Sequence, residues 1–138
     1  MRTISSALIL LFAVFFNSCA EAQEENGSNA TGKDRVFEKI EVSELDRILA
    51  NNEIQIIDVR TENEISQGMI PGARNIDVMQ WDYFVNEVEQ LDRENPVLVY
   101  CKVGGRSAKA FAYLNENGFS EVYDLKGGYD SWKRDQQH

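Results

Sequence analysis

Hydrophobic and polar positions change rhythm several times along this chain, and each change marks an element. Val36 to Ile40 and Ile54 to Asp58 are short apolar-rich runs that read as strands, with a helix from about Glu44 to Ala50, capped by Ser43, between them. Thr61-x-x-Glu64 has the form of a capping box and predicts a short helix ending near Gly68. A strand around Arg74 to Ile76 follows. Trp81, Phe84, Val85, Val88 and Leu91 then recur at helical spacing, which makes that aromatic stripe core. The continuous apolar run Pro96 to Tyr100 predicts a strand buried on both faces, followed by a helix from about Ser107 to Asn117 that Gly118 stops. A strand from Glu121 to Leu125 and a helix from about Tyr129 to Lys133 close the pattern. Alternating strands and helices imply an α/β three-layer sandwich: a mainly parallel sheet of roughly five strands flanked by helices.

The N-terminal rhythm differs. Arg2 precedes an apolar stretch from Ala7 to Phe16 and then Asn17-Ser18-Cys19, which reads as a signal peptide too short to span a bilayer. Residues 20–35 are polar, bury almost nothing and read as a tether, leaving residues 36–134 as the domain and 135–138 as a tail. With 138 residues and 43% hydrophobic content the chain supports one core. Its net charge of −9, without a basic stripe, argues against nucleic acid as a partner.

The candidate chemistry lies in Cys101-Lys102-Val103-Gly104-Gly105-Arg106-Ser107, at a strand-to-helix turn. Successive backbone N–H groups converge in such a turn, and the first helical turn adds its own unpaired donors. Gly104 and Gly105 allow close approach of backbone to a central group, while Lys102 and Arg106 add positive charge. Such surroundings lower a thiol pKa from about 8.5 to about 3.5–7.5. Cys101 is therefore expected as a reactive, solvent-reachable thiolate. The only histidine is His138, so a Cys–His dyad is not expected.

The same loop resembles the active-site loop of rhodanese-like domains, sulfurtransferases that carry sulfur as a cysteine persulfide. Asp58-Val59-Arg60, Glu64, Gly68 and Ile70-Pro71-Gly72-Ala73-Arg74-Asn75-Ile76 resemble a second signature of that family, and Gly118-Phe119, Val122, Leu125, Gly127-Gly128 and Trp132 resemble its C-terminal one. Met69 stands where the family usually has His, and Ile65 where it often has an aromatic residue. Cys19 after the apolar stretch resembles the lipobox of bacterial lipoproteins, with plain cleavage after Ala20 or Ala22 as the alternative.

The resemblance implies an exported, periplasmic or membrane-anchored sulfurtransferase with Cys101 catalytic. Lys102, Val103, Gly104, Gly105, Arg106 and Ser107 would bind substrate, and Asp58 and Arg60 would support the loop. Asp58 either pairs with Arg106 across the mouth or caps the turn after its own strand. Arg60 and Glu64 are expected as a structural ion pair. The partners implied are a small anionic sulfur donor and a thiol or cyanide acceptor, with membrane contact only through lipid on Cys19. Neither metal nor organic cofactor is implied. A phosphatase or arsenate reductase is disfavoured because the loop from Cys101 to Arg106 has six residues, one fewer than the phosphatase-type loop. A non-catalytic or redox-sensing module on the same fold is the remaining alternative.

Overall fold

The computed structural model describes residues 34–137; the expected leader, Cys19 with its expected lipobox, most of the expected tether and His138 lie outside the described residues. Five strands form one all-parallel sheet in the order β1 (Val36–Ile40), β5 (Glu121–Leu125), β4 (Val97–Tyr100), β2 (Gln55–Asp58), β3 (Arg74–Asn75). Helices α1 (Leu45–Leu49), α2 (Glu62–Ile65), α3 (Trp81–Val88), α4 (Gly105–Glu116) and α5 (Gly128–Asp135) complete it. The three-layer parallel architecture is the one the alternating pattern predicts.

Side-chain alternation along β4 divides the core in two. Val97 and Val99 join Phe84, Val88, Ala110 and Leu114 on the side covered by α3 and α4, whereas Leu98 and Tyr100 join Leu45, Ile48 and Tyr129 on the side covered by α1 and α5. The expected aromatic stripe is core: Trp81 stacks on Phe84 at 5.2 Å, and the Tyr113 ring of α4 meets Trp81 edge-on at 5.4 Å. Phe84 is fully buried, and truncating it to Ala would cost about 3–5 kcal/mol.

Two local expectations change. Ser43 is not a cap; a 3₁₀ turn at Val42–Glu44 precedes α1, and the Glu44 carboxylate accepts from the Glu41 N–H at 3.0 Å. Helix α4 begins at Gly105, two residues before the expected Ser107, because Gly104 takes the left-handed conformation (φ +108°) and turns the chain immediately into the helix. The Thr61 box is present: Glu64 accepts from the Thr61 N–H at 3.1 Å and its hydroxyl at 3.0 Å.

From β4 the chain proceeds to β5 on one side, and from β2 to β3 on the other. The carboxyl ends of β4 and β2 therefore flank a topological switch point, where loops diverge and leave room for a ligand. Cys101 follows β4 and Asp58 ends β2 there.

Candidate active site

Cys101 continues the β4 alternation and points toward the α3/α4 side, where Gly104 donates its backbone N–H to Sγ at 3.1 Å. Burial opposes ionisation of this thiol. Hydrogen bonds from the Ser107, Gly104 and Val103 N–H groups and the Ser107 hydroxyl outweigh it and hold the pKa below the ordinary thiol value. The residue is 1% exposed, so the expectation of an openly exposed thiol is corrected. It lies directly beneath a loop in which Lys102, Val103 and Gly105 are exposed.

Helix α5 orients that loop. Its first turn has free N–H groups. Tyr129 N–H takes the Cys101 carbonyl at 2.8 Å and Asp130 N–H takes the Lys102 carbonyl at 3.1 Å. Because a trans peptide sets its C=O and N–H in opposite directions, drawing the Lys102 carbonyl to α5 turns the Val103 N–H the other way, toward the sulfur. Close approach needs Gly128: a Cβ there would sit 2.3 Å from the Cys101 oxygen and 2.7 Å from the Lys102 oxygen.

The ionic partners differ from those expected. Asp58 does not reach across to Arg106; its carboxylate accepts from the Arg60 N–H at 3.0 Å and pairs with the Arg60 guanidinium at 2.6 Å. The turn-capping alternative for Asp58 therefore holds, since a residue two positions past the strand end folds back onto it more readily than one on another element. Arg60 is buried and extends further, donating to the Gly68 carbonyl at 2.7 Å and stacking over Tyr129 at 4.0 Å. It does not pair with the Glu64 carboxylate, which lies on Arg106 instead, with both terminal nitrogens at 2.6 Å.

Lys102 pairs with Asp130 at 3.0 Å. Both loop cations thus carry their own counter-charge, and the positive potential at the sulfur comes chiefly from amides. Glu64 and Asp130 were not assigned to the site from sequence. For Glu64 the capping box, the family signature and the expected pairing with Arg60 did not point to Arg106; for Asp130 there was no signal. Of the two departures from the family pattern, both half-buried, Ile65 lines a cleft of about 280 Å³ with Asp77 and Tyr83.

A thiol held in an amide-lined loop at the switch point of a parallel α/β sheet defines the class of site. Comparison narrows the class. The model of the rhodanese-like domain matches residues 41–135, and the chain belongs to that family. It is 34% identical over 96 residues to the thiosulfate sulfurtransferase GlpE of Shewanella oneidensis, covering 70% of this chain and 92% of that protein. It is 44% identical over 78 residues to the uncharacterized protein YqhL of Bacillus subtilis, covering 56% of this chain and 60% of the relative's length. A solved rhodanese-like domain protein of Staphylococcus aureus matches at TM-score 0.60 and 31% identity, covering 69% of this chain and 90% of that one.

Proposed function

We propose that the protein is a sulfurtransferase that moves sulfane sulfur from a small anionic donor, such as thiosulfate, to a thiophilic acceptor through a persulfide on Cys101. The observation that carries this reading is the donor set around Sγ: the N–H groups of Val103, Gly104 and Ser107 with the Ser107 hydroxyl. Those donors favour a thiolate, and they equally favour the negative charge of a persulfide.

In the first half-reaction the thiolate attacks the outer sulfur of thiosulfate. A sulfur–sulfur bond to Cys101 forms, the donor's own sulfur–sulfur bond breaks, and sulfite leaves with the bonding pair. In the second, cyanide or a thiolate attacks the outer sulfur of the persulfide, releasing thiocyanate or a new persulfide and regenerating the Cys101 thiolate. Charge balances in both steps. Because the sulfur lies beneath its loop, entry selects small donors; because the loop cations are paired, the leaving anion relies chiefly on amides.

Intact-mass measurement after thiosulfate treatment tests the reading. A gain of one sulfur on the wild type and none on Cys101→Ser supports it. No sulfur uptake, with gain of oxygen alone under peroxide, overturns it in favour of a redox sensor. We also infer export with a lipid anchor on Cys19, from the leader pattern alone; radiolabelled fatty acid incorporated into the wild type and lost in Cys19→Ala is the expected result.

A further inference from the structure

Along β5, Val122 lies on the α3/α4 side, and Tyr123 and Leu125 lie on the opposite one. Asp124 thus occupies a position where the alternation calls for an apolar side chain on the α3/α4 side, in register with Val99 of β4 and Lys39 of β1. It is 2% exposed. A buried carboxyl group is costly unless donors surround it, and here they are few. Oδ1 has no hydrogen-bond partner, and Lys39 Nζ comes only within 4.0 Å of Oδ2 from an exposed position.

The remaining polar neighbour is the Ser107 hydroxyl, fully buried in the first turn of α4. That hydroxyl also serves the Cys101 sulfur and lies 3.2 Å from the Gly104 carbonyl oxygen. Its hydrogen bond goes to Gly104, with the sulfur and the Asp124 carboxyl as the other neighbours that could take the proton. We propose that Asp124 is a positioning residue for Cys101, acting through Ser107: the carboxyl group beneath the loop governs whether the single hydroxyl proton of Ser107 is given to the sulfur.

The two charge states of Asp124 act in opposite directions. An ionised carboxylate accepts the Ser107 proton, withdraws it from Sγ and sets a negative charge behind the thiolate. A protonated carboxyl donates to Ser107 Oγ, leaving the hydroxyl's own proton for Sγ. Burial favours this second state, whereas the Ser107 hydroxyl and Lys39 favour the first, which the wild type takes near the thiol midpoint. Lys39 from β1 is the charged group facing Asp124; β4 presents Val99, α4 presents Ser107, and Cys101 lies on the far side of that hydroxyl. The consequence for sulfur loading rests on the sulfurtransferase reading, whereas control of the thiol does not.

The test is the pH profile of Cys101 alkylation by iodoacetamide in wild type, Asp124→Asn, Ser107→Ala and the double variant. In Asp124→Asn the amide oxygen faces Lys39 and the NH₂ group donates to Ser107, so the thiol midpoint falls by about half a unit. Alkylation below the midpoint then rises about threefold. On the Ser107→Ala background the shift shrinks to less than half. An unchanged or higher midpoint in Asp124→Asn, or the same shift without Ser107, overturns the proposal.

Should Asp124→Asn fail to fold, the reciprocal measurement decides: the ¹³C carboxyl resonance of Asp124 titrates at lower pH in Cys101→Ser than in wild type, and an equal midpoint overturns the coupling. Failure of wild-type sulfur uptake would sink the sulfurtransferase reading and leave these profiles readable.

Discussion

Glu64 accepts from both terminal nitrogens of Arg106 at 2.6 Å each, so the short helix α2 is fastened to the first turn of α4 across the mouth of the cysteine loop. Arg106 lowers the Glu64 pKa to about 2, against the opposing effect of burial. A carboxylate depressed on folding contributes stability that is complete above its unfolded value of 4.5 and disappears as pH falls toward about 2. Glu64→Gln should therefore cost about 1–2 kcal/mol near neutrality, since the pair is only partly screened. In urea unfolding the gap between variant and wild type should narrow steadily as pH falls through that window. Arg106→Lys keeps the charge but loses the planar fork. Persulfide formation in a single turnover should slow by about ten- to a hundredfold as the loop loses its brace.

Glycines around the loop make opposite predictions. Gly128→Ala places a methyl group 2.3 Å from the Cys101 carbonyl oxygen at a residue with φ +56°, so backbone must move. The conformation alone costs about 1–2 kcal/mol, and the clash adds displacement of the peptides that aim N–H groups at the sulfur. Sulfur uptake should fall at least about tenfold even in protein that melts cooperatively. Gly105→Ala, at the helical start of α4 with no protein atom within 4 Å of the new methyl, should raise stability by up to about 1 kcal/mol. Equal losses of stability in both variants would contradict the clamp by α5.

Asp58 and Arg60 form a fully buried pair, 0% and 2% exposed. Removing one member leaves the other charge unpartnered, so Arg60→Met should cost about 3–5 kcal/mol in denaturant unfolding. The double variant Asp58→Asn with Arg60→Met should recover part of that loss. No recovery would mean that the Arg60 contacts to Gly68 and Tyr129, rather than its charge pairing, dominate.

The strands were legible because their signals are local. β1 and β5 run from Val36 to Ile40 and from Glu121 to Leu125 as the pattern predicts, and Thr61 and Glu64 form the expected box. The cysteine loop was legible for the same reason, since a short turn with two glycines between strand and helix permits few backbone paths. Partners of the charged residues were not. Arg60, Glu64 and Arg106 each have several opposite charges within sequence reach, and which of them meet depends on how β2, α2 and α4 are placed in three dimensions. Asp124 was hidden differently: a single acid in a strand reads as solvated until the sheet places it beneath α4.

Access and ionisation of Cys101 make separable predictions. Its pKa lies below the ordinary thiol value because, although burial acts against the thiolate, amides from Val103, Gly104 and Ser107 prevail. For an acid depressed in this way, the thiolate's contribution to stability is complete above the unfolded value and is lost as pH falls through the folded midpoint. The stability difference between wild type and Cys101→Ser should accordingly grow with pH across that interval. Iodoacetamide should follow the thiolate fraction, with a midpoint below that of a free thiol. A bulky maleimide should react more slowly at every pH, because the residue is 1% exposed beneath its loop and the reagent must displace Val103 or Lys102 to reach it. If both reagents react at the rates they show with an unfolded peptide, the loop is not closed over the sulfur. If instead the iodoacetamide midpoint equals or exceeds the free-thiol value, the amides do not overcome burial, and the thiolate on which the transfer depends is absent near neutrality.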